Sequence, residues 1–217
     1  MAVRTINDVL DIAPVIPVLT IERVEWAVPL AKALVTGGLR ALEVTLRTDV
    51  ALDAVRAIAQ TVPDAVPGVG TVTSPEDIFK AKAAGACFVV SPGFSSDLAM
   101  AASDLPYLPG IATASEAMAA QRLGLRSLKF FPAEAMGGRK TLMALSGPFP
   151  SLNFCPTGGI GRSNAREYLA LPNVSCVGGS WVAPRDEIQN ERWEKIFKLA
   201  SESASFGTHK NRTNLNM

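Results

Sequence analysis

Histidine is all but missing from this sequence: His209, close to the C-terminal end, is the one example. A metal centre of clustered imidazoles has nothing to be built from, and no metal or other cofactor is expected. Cysteine is scarce and odd in number. Cys87, Cys155 and Cys176 lie in apolar runs without C-x-x-C spacing, so buried free thiols in a reducing compartment are expected rather than a disulfide framework. Apolar runs long enough to span a bilayer are lacking, as is a cationic segment leading into an apolar one, so neither membrane insertion nor secretion is expected and the protein is assigned to the cytoplasm. An excess of charge of one sign is also absent. Lys and Arg number 21 against 20 Asp and Glu, which argues against a nucleic-acid or membrane-surface partner and requires any acidic ligand to be held locally.

What is present is apolar material in short, regularly spaced pieces. Hydrophobic residues make up 48% of the 217, enough for one well-buried core, and no compositional shift marks a second domain. Residues 1–204 read as a single domain and 205–217, polar and without periodicity, as a flexible tail. Short β-rich runs begin near Val15, Leu39, Ala65, Cys87, Tyr107, Ser127, Leu152 and Val174, the rhythm of strands alternating with helices. Between the first two, Ala27, Leu30, Ala31 and Leu34 recur at the spacing of a helix face laid on a sheet. Ser74 before Pro75, with Asp77 following, and Thr113 with Glu116 mark helix starts, the second as a capping box. Such βα units close into a (β/α)8 TIM barrel, an α/β fold without exposed sheet edges. The competing open doubly wound sheet usually shows a G-x-G-x-x-G turn after its first strand, where this chain has Leu19-Thr20-Ile21. A short helix within Ile6 to Ala13 is expected before the first strand, plugging the bottom of the barrel.

Polar residues stand where barrel strands should be apolar. In the run from Ala41 to Arg47 the strand period of two puts Glu43, Thr45 and Arg47 on one face and Leu42, Val44 and Leu46 on the other. The apolar set must meet the helices, so a carboxylate, a hydroxyl and a guanidinium point into the barrel, where unpaired charge is costly. A Glu–Arg pair that only stabilises is the plain alternative; position near the C-terminal end of a barrel strand, where active sites of this architecture lie, favours chemistry. In the run from Ser127 to Pro132, Ser127, Lys129 and Phe131 share a face opposite Leu128 and Phe130. Lysine is seldom buried without reason, and burial beside a second cation such as Arg47 favours the free amine, the form that attacks a ketone. A lysine that snorkels, or bridges to Glu43 for structure alone, is the alternative.

Glycine pairs follow the seventh and eighth runs, in Thr157-Gly158-Gly159 and Gly178-Gly179-Ser180. Phosphate sites of such barrels commonly use those two loops, because backbone N–H groups approach an anion closely only where no Cβ intervenes. Turn formation alone explains one pair; two pairs in the two expected loops favour an anion site. Gly68-Val69-Gly70-Thr71 and Ser91-Pro92-Gly93 leave room for a substrate, and Thr71 offers a hydroxyl.

These segments resemble the 2-keto-3-deoxy-6-phosphogluconate aldolase family, which also handles 4-hydroxy-2-oxoglutarate. The similarity runs from Pro17-Val18-Leu19 to about Pro184, through Leu42 to Thr48, Gly68 to Val72, Ser91-Pro92-Gly93, Lys129 to Glu134, Phe154 to Ile160 and Gly178-Gly179-Ser180-Trp181. The resemblance implies a class I aldolase without cofactor or metal, with Lys129 as Schiff-base lysine and Glu43 as acid–base residue. It further implies Arg47 and Thr71 on the pyruvyl carboxylate, Phe131 on the carbon chain, Pro92 and Thr157 lining the pocket, and the phosphate on Gly158, Gly159, Gly179 and Ser180. A homotrimer and a 2-keto acid phosphate substrate belong to the same expectation. Ala112 and Arg139 depart from the serine and the aliphatic residue expected there. Three rivals stay open: a metal-dependent aldolase, which would need clustered ligands; a non-catalytic phosphosugar-binding barrel; and an aldolase for the C4-epimeric 6-phosphogalactonate.

Overall fold

A computed structural model describes residues 3–207 of the chain. It opens with helix α1 (Ile6–Leu10), capped by Thr5, whose Oγ1 accepts from the Asp8 N–H while the Asp8 carboxylate accepts from the Thr5 N–H. Strand β1 (Val15–Leu19) follows, and a short 3-10 turn, Val24–Trp26, leads into α2 (Ala27–Thr36). Strands and helices then alternate: β2 (Ala41–Thr45), α3 (Ala51–Thr61), β3 (Val66–Gly70), α4 (Pro75–Ala83), β4 (Phe88–Val90) and α5 (Ser96–Ala101). The fifth run is split into β5 (Tyr107–Leu108) and β6 (Gly110–Ile111), because Pro109 has no N–H to give the ladder. After α6 (Ala114–Arg122) come β7 (Ser127–Phe130), α7 (Gly138–Ser146), β8 (Asn153–Pro156), α8 (Ala165–Leu169), β9 (Val177–Gly179), α9 (Arg185–Gln189) and α10 (Trp193–Ala204).

The result is an α/β fold in which the strand pairings are parallel. One sheet has the order β5-β4-β3-β2-β1-β9 and the other β6-β7-β8. Isolated parallel bridges, Phe154 to Val174 and Thr157 to Gly178, run from β8 and its end to the eighth run.

Strand alternation sorts the core into two clusters. Val15, Leu19, Leu42, Val44, Val69 and Leu128 pack outward against helix residues such as Leu30, Leu34, Val55 and Ile58. Their neighbours Ile16, Ala41, Val66, Phe88, Val90, Leu108, Cys155 and Cys176 form a second cluster with Val9 and Leu10 of α1. The N-terminal helix therefore does seal one end of the inner face, and its Asn7 accepts a 2.6 Å hydrogen bond from Ser127 at the start of β7. Gly68 leaves the space the Phe88 ring fills: a Cβ there would lie 2.4 Å from it.

Cys155 and Cys176 are buried and Cys87 half-buried, none of them in a disulfide. Packing extends through Phe206, which is buried beneath the Arg166 guanidinium, two residues past the boundary read from the sequence. His209 and the rest of the tail lie outside the described residues. Among those described, no helix is long and apolar enough to cross a membrane.

Candidate active site

Above the apolar inner cluster the strands turn polar. Glu43, third residue of β2, and Lys129, third residue of β7, come from the two different sheets and meet: Lys129 Nζ donates to Glu43 Oε1 at 3.0 Å, with 6% and 4% of the side chains exposed. Two charges out of water cost several kcal/mol each unless paired, so each side chain needs the other, and proton transfer from Lys129 to Glu43 would discharge both. The Phe131 ring lies 5.5 Å from Nζ, placing its π face where a cation on nitrogen is favoured. Beside this pair the walls are small. Glu43 is flanked in register by Val18 and Gly68, and Lys129 by Gly110 and Cys155. A Cβ on Gly110 would stand 2.2 Å from the Pro92 carbonyl oxygen, so the loop carrying Pro92 rests directly on the strand next to Lys129. That loop is braced from behind. Tyr107 lies 2.7 Å from the Ser91 hydroxyl, which donates to the Gly93 carbonyl at 2.6 Å; burial, only partly opposed by this bond, pushes the Tyr107 phenol up to about 12.

Arg47 does not share the burial of Glu43. The strand ends at Thr45, so the alternation that was to carry Arg47 inward stops, and its side chain is exposed in the following turn. Lys129 is thus answered by Glu43, a buried pair in which the exposed Arg47 takes no part. Arg47 instead lines a cavity of about 450 Å³ with Ser180, Val18, Thr20 and Thr48. The Glu22–Arg185 ion pair, at 2.7 Å, crosses the residues lining that cavity. Thr71 immediately follows β3 with φ at 61°, an outlying conformation for a β-branched residue and a sign of local strain.

The two glycine loops meet at Thr157. Its buried side chain fills the space over Gly178, where a Cβ would lie 2.3 Å from Oγ1. Gly158 and Gly159 take φ of 98° and 75°, open to glycine and strained for other residues. Gly179 is buried under the Trp181 ring, while Ser180 is exposed. Among the described residues no group of three His, Cys, Asp or Glu side chains is arranged to hold a metal ion. Ala112 serves the start of α6, its N–H donating to Glu116 at 2.8 Å, and Arg139 pairs with Glu167 at 2.6 Å.

A buried lysine–carboxylate pair is equipped for imine chemistry. Compared with known proteins, residues 6–199 match the aldolase family model described as KDPG and KHG aldolase. The chain belongs to that family. A 2-dehydro-3-deoxy-phosphogluconate aldolase of Dickeya dadantii is 52% identical to this aldolase over 204 residues, 93% of this chain and 96% of the relative. The KHG/KDPG aldolase of Escherichia coli strain K12 is 51% identical over 199 residues, 91% and 93% of the two chains. A crystal structure of KDPG aldolase from Legionella pneumophila, with pyruvate captured at low pH as a covalent carbinolamine intermediate, superposes with a TM-score of 0.91 at 46% identity, covering 93% of this aldolase and 98% of that chain.

Sequence reasoning missed two side chains beside this candidate site, Thr20 and Tyr107. Thr20 lines the cavity with Arg47, and the alternation Ile16, Val18, Thr20 along β1 and one residue past it was the available signal. Its hydroxyl lies 3.3 Å from that of Thr45, which donates to the Leu19 carbonyl. Tyr107 carried no such signal, because it works from the outer face of its strand.

Proposed function

We propose that the buried Lys129–Glu43 pair is the catalytic centre of a class I aldolase that cleaves 2-dehydro-3-deoxy-6-phosphogluconate reversibly to pyruvate and glyceraldehyde 3-phosphate, and that also accepts 4-hydroxy-2-oxoglutarate. The chain is a carbon–carbon lyase. The single observation carrying the mechanism is the 3.0 Å contact between a lysine and a glutamate, both almost fully excluded from water.

Glu43 takes a proton from Lys129, and the free amine adds to the C2 ketone. Glu43 returns a proton to the departing oxygen, water leaves, and an iminium forms that draws electrons from C3. Glu43 then accepts the C4 hydroxyl proton as the C3–C4 bond breaks; the bond's electrons enter the iminium, giving the enamine of pyruvate and releasing the aldehyde. Protonation at C3 and hydrolysis free pyruvate and Lys129. Arg47 and Thr71 grip the carboxylate, the Arg47 fork in two-pronged fashion. Pro92, Thr157 and Phe131 confine the chain, and Gly158, Gly159, Gly179 and Ser180 receive the phosphate. The absence of any protein acceptor, among the described residues, for the N–H groups of Gly158 and Gly159 supports that last assignment.

The architecture behind this reading is one complete (β/α)8 barrel in a single domain whose packing extends through Phe206. Three features support it: β5 and β6 act as one strand interrupted at Pro109, the bridges from β8 reach the eighth run, and the inner cluster draws on both sheets. The assembly is a homotrimer in the cytoplasm. Exposed Phe79, Met100 and Met118, on α4, α5 and α6, support a self-associating face, and cysteines outside any disulfide fit a reducing compartment.

Borohydride reduction with pyruvate, followed by peptide mapping, tests the centre. A pyruvyl adduct on Lys129, lost in Lys129→Ala, is the expected result. No adduct, or one on another lysine, would return Lys129 to a structural role.

A further inference from the structure

The substrate's phosphate end depends on a loop that is held from behind, by residues to which neither the chemistry nor the cavity assigns a task. Gly158 and Gly159 both sit at positive φ, and such a turn stays in place only if its surroundings fix it. Each of its carbonyls is taken. The Glu134 N–H donates to the Gly158 oxygen at 3.1 Å, and Asn164 Nδ2 donates to the Gly159 oxygen at 3.1 Å while its Oδ1 accepts from the Gly161 N–H at 2.9 Å. The Glu134 side chain lies against Gly159, its Cβ and Cγ 2.6 Å from where a glycine Cβ would stand. Glu134 is in turn tied to α8 by the Tyr168 hydroxyl, which donates to its Oε1 from a completely buried ring. Burial, reinforced by the neighbouring carboxylate, pushes that phenol well above its ordinary range, so it remains a donor.

A free carboxylate here would be a liability, since a phosphate on Gly158 and Gly159 would be repelled by it. We infer that Tyr168 and Asn164 are positioning residues for the phosphate end of the substrate: Tyr168 fastens Glu134, and Glu134 with Asn164 turns both glycine carbonyls away so that the loop's N–H groups face the anion. The inference rests on the reading of the glycine loops as a phosphate site. It assigns selectivity for phosphorylated over unphosphorylated 2-keto acids to bonds that touch neither substrate nor Lys129.

The test compares KM and kcat for 2-dehydro-3-deoxy-6-phosphogluconate and for 4-hydroxy-2-oxoglutarate in Tyr168→Phe, Asn164→Ala and Ser180→Asp, with thermal melting to verify folding. Loss of one such bond should raise KM for the phosphorylated substrate about 10-fold in Tyr168→Phe and Asn164→Ala, with little change on the unphosphorylated one. Glu134→Gln, which keeps an oxygen for Tyr168, should restore near-normal selectivity where Glu134→Leu does not. If Ser180→Asp discriminates between the substrates but Tyr168→Phe affects both equally or neither, the positioning role is overturned and the phosphate site stands. If Ser180→Asp also fails to discriminate, both fall together.

Discussion

At Gly70 a Cβ would stand 2.3 Å from Glu43 Oε1 and 2.6 Å from its Cγ, so the carboxylate keeps its place only because this position of β3 carries no side chain. Gly70→Ala should therefore leave the fold intact and push Glu43 out of reach of Lys129. Displacement of a reacting group by an ångström costs on the order of 100-fold in rate. The expected outcome is a kcat lowered by roughly that factor with an unchanged circular dichroism spectrum; a variant as active as wild type would mean that Glu43 has other room to work from. Glu43 and Lys129 were legible in the sequence because alternation along a strand is a local rule, and both stand inside their strands. Arg47 was not, because the same rule ends where β2 ends. Glu134 and Tyr168 were beyond reach for another reason: 34 residues separate them, and only the packing of α8 against the loop after β7 brings them together.

Helix starts carry much of the local order. Thr5, Ser74 and Thr113 each form a reciprocal capping box with an acidic residue three positions on, Asp8, Asp77 and Glu116. The sequence discloses the Thr113 box and the Ser74 start; in the other two boxes aspartate stands in place of the glutamate that marks the usual pattern. Burial pushes Asp77 and Glu116 up, but the N–H and hydroxyl groups of the capping turns outweigh it and hold both carboxyls below their usual range. A depressed carboxyl adds stability above its unfolded value and loses that contribution as pH falls through its folded one. Stability should accordingly be level near neutrality and decline below about pH 4, measured as the urea midpoint against pH. Thr113→Ala should cost about 1 kcal/mol, some 2–4 °C in Tm for a chain of this size, and should flatten part of that acid limb. An unaltered melting temperature would mean that the box contributes nothing beyond what water supplies.

For the whole molecule, several helices carry large apolar side chains exposed at the surface. Phe79 is 62% exposed and Met100 65%, on α4 and α5, which pack together, and Met118 and Leu123 are exposed on and just after α6. Large exposed apolar side chains gathered on adjacent helices suit contact with another copy of the chain. With this face as the proposed trimer contact, Met100→Glu should lower the mass measured by light scattering while leaving the imine adduct on Lys129 in place. A trimer that survives the change would move the contact elsewhere on the surface.

What the sequence determined by itself is what depends on neighbours along the chain: the succession of strands and helices, the helix starts, the inward faces of β2 and β7, and the glycines where no Cβ fits. These follow from periodicity, capping and sterics, which act over a few residues. Only the tertiary structure decided which inward groups meet. The pairing of Glu43 with Lys129 across 86 residues, the exclusion of Arg47 from that pair, and the tethering of the glycine loop by Glu134, Asn164 and Tyr168 depend on how sheets and helices close on one another. Distance in space is set there by packing, which no local pattern records.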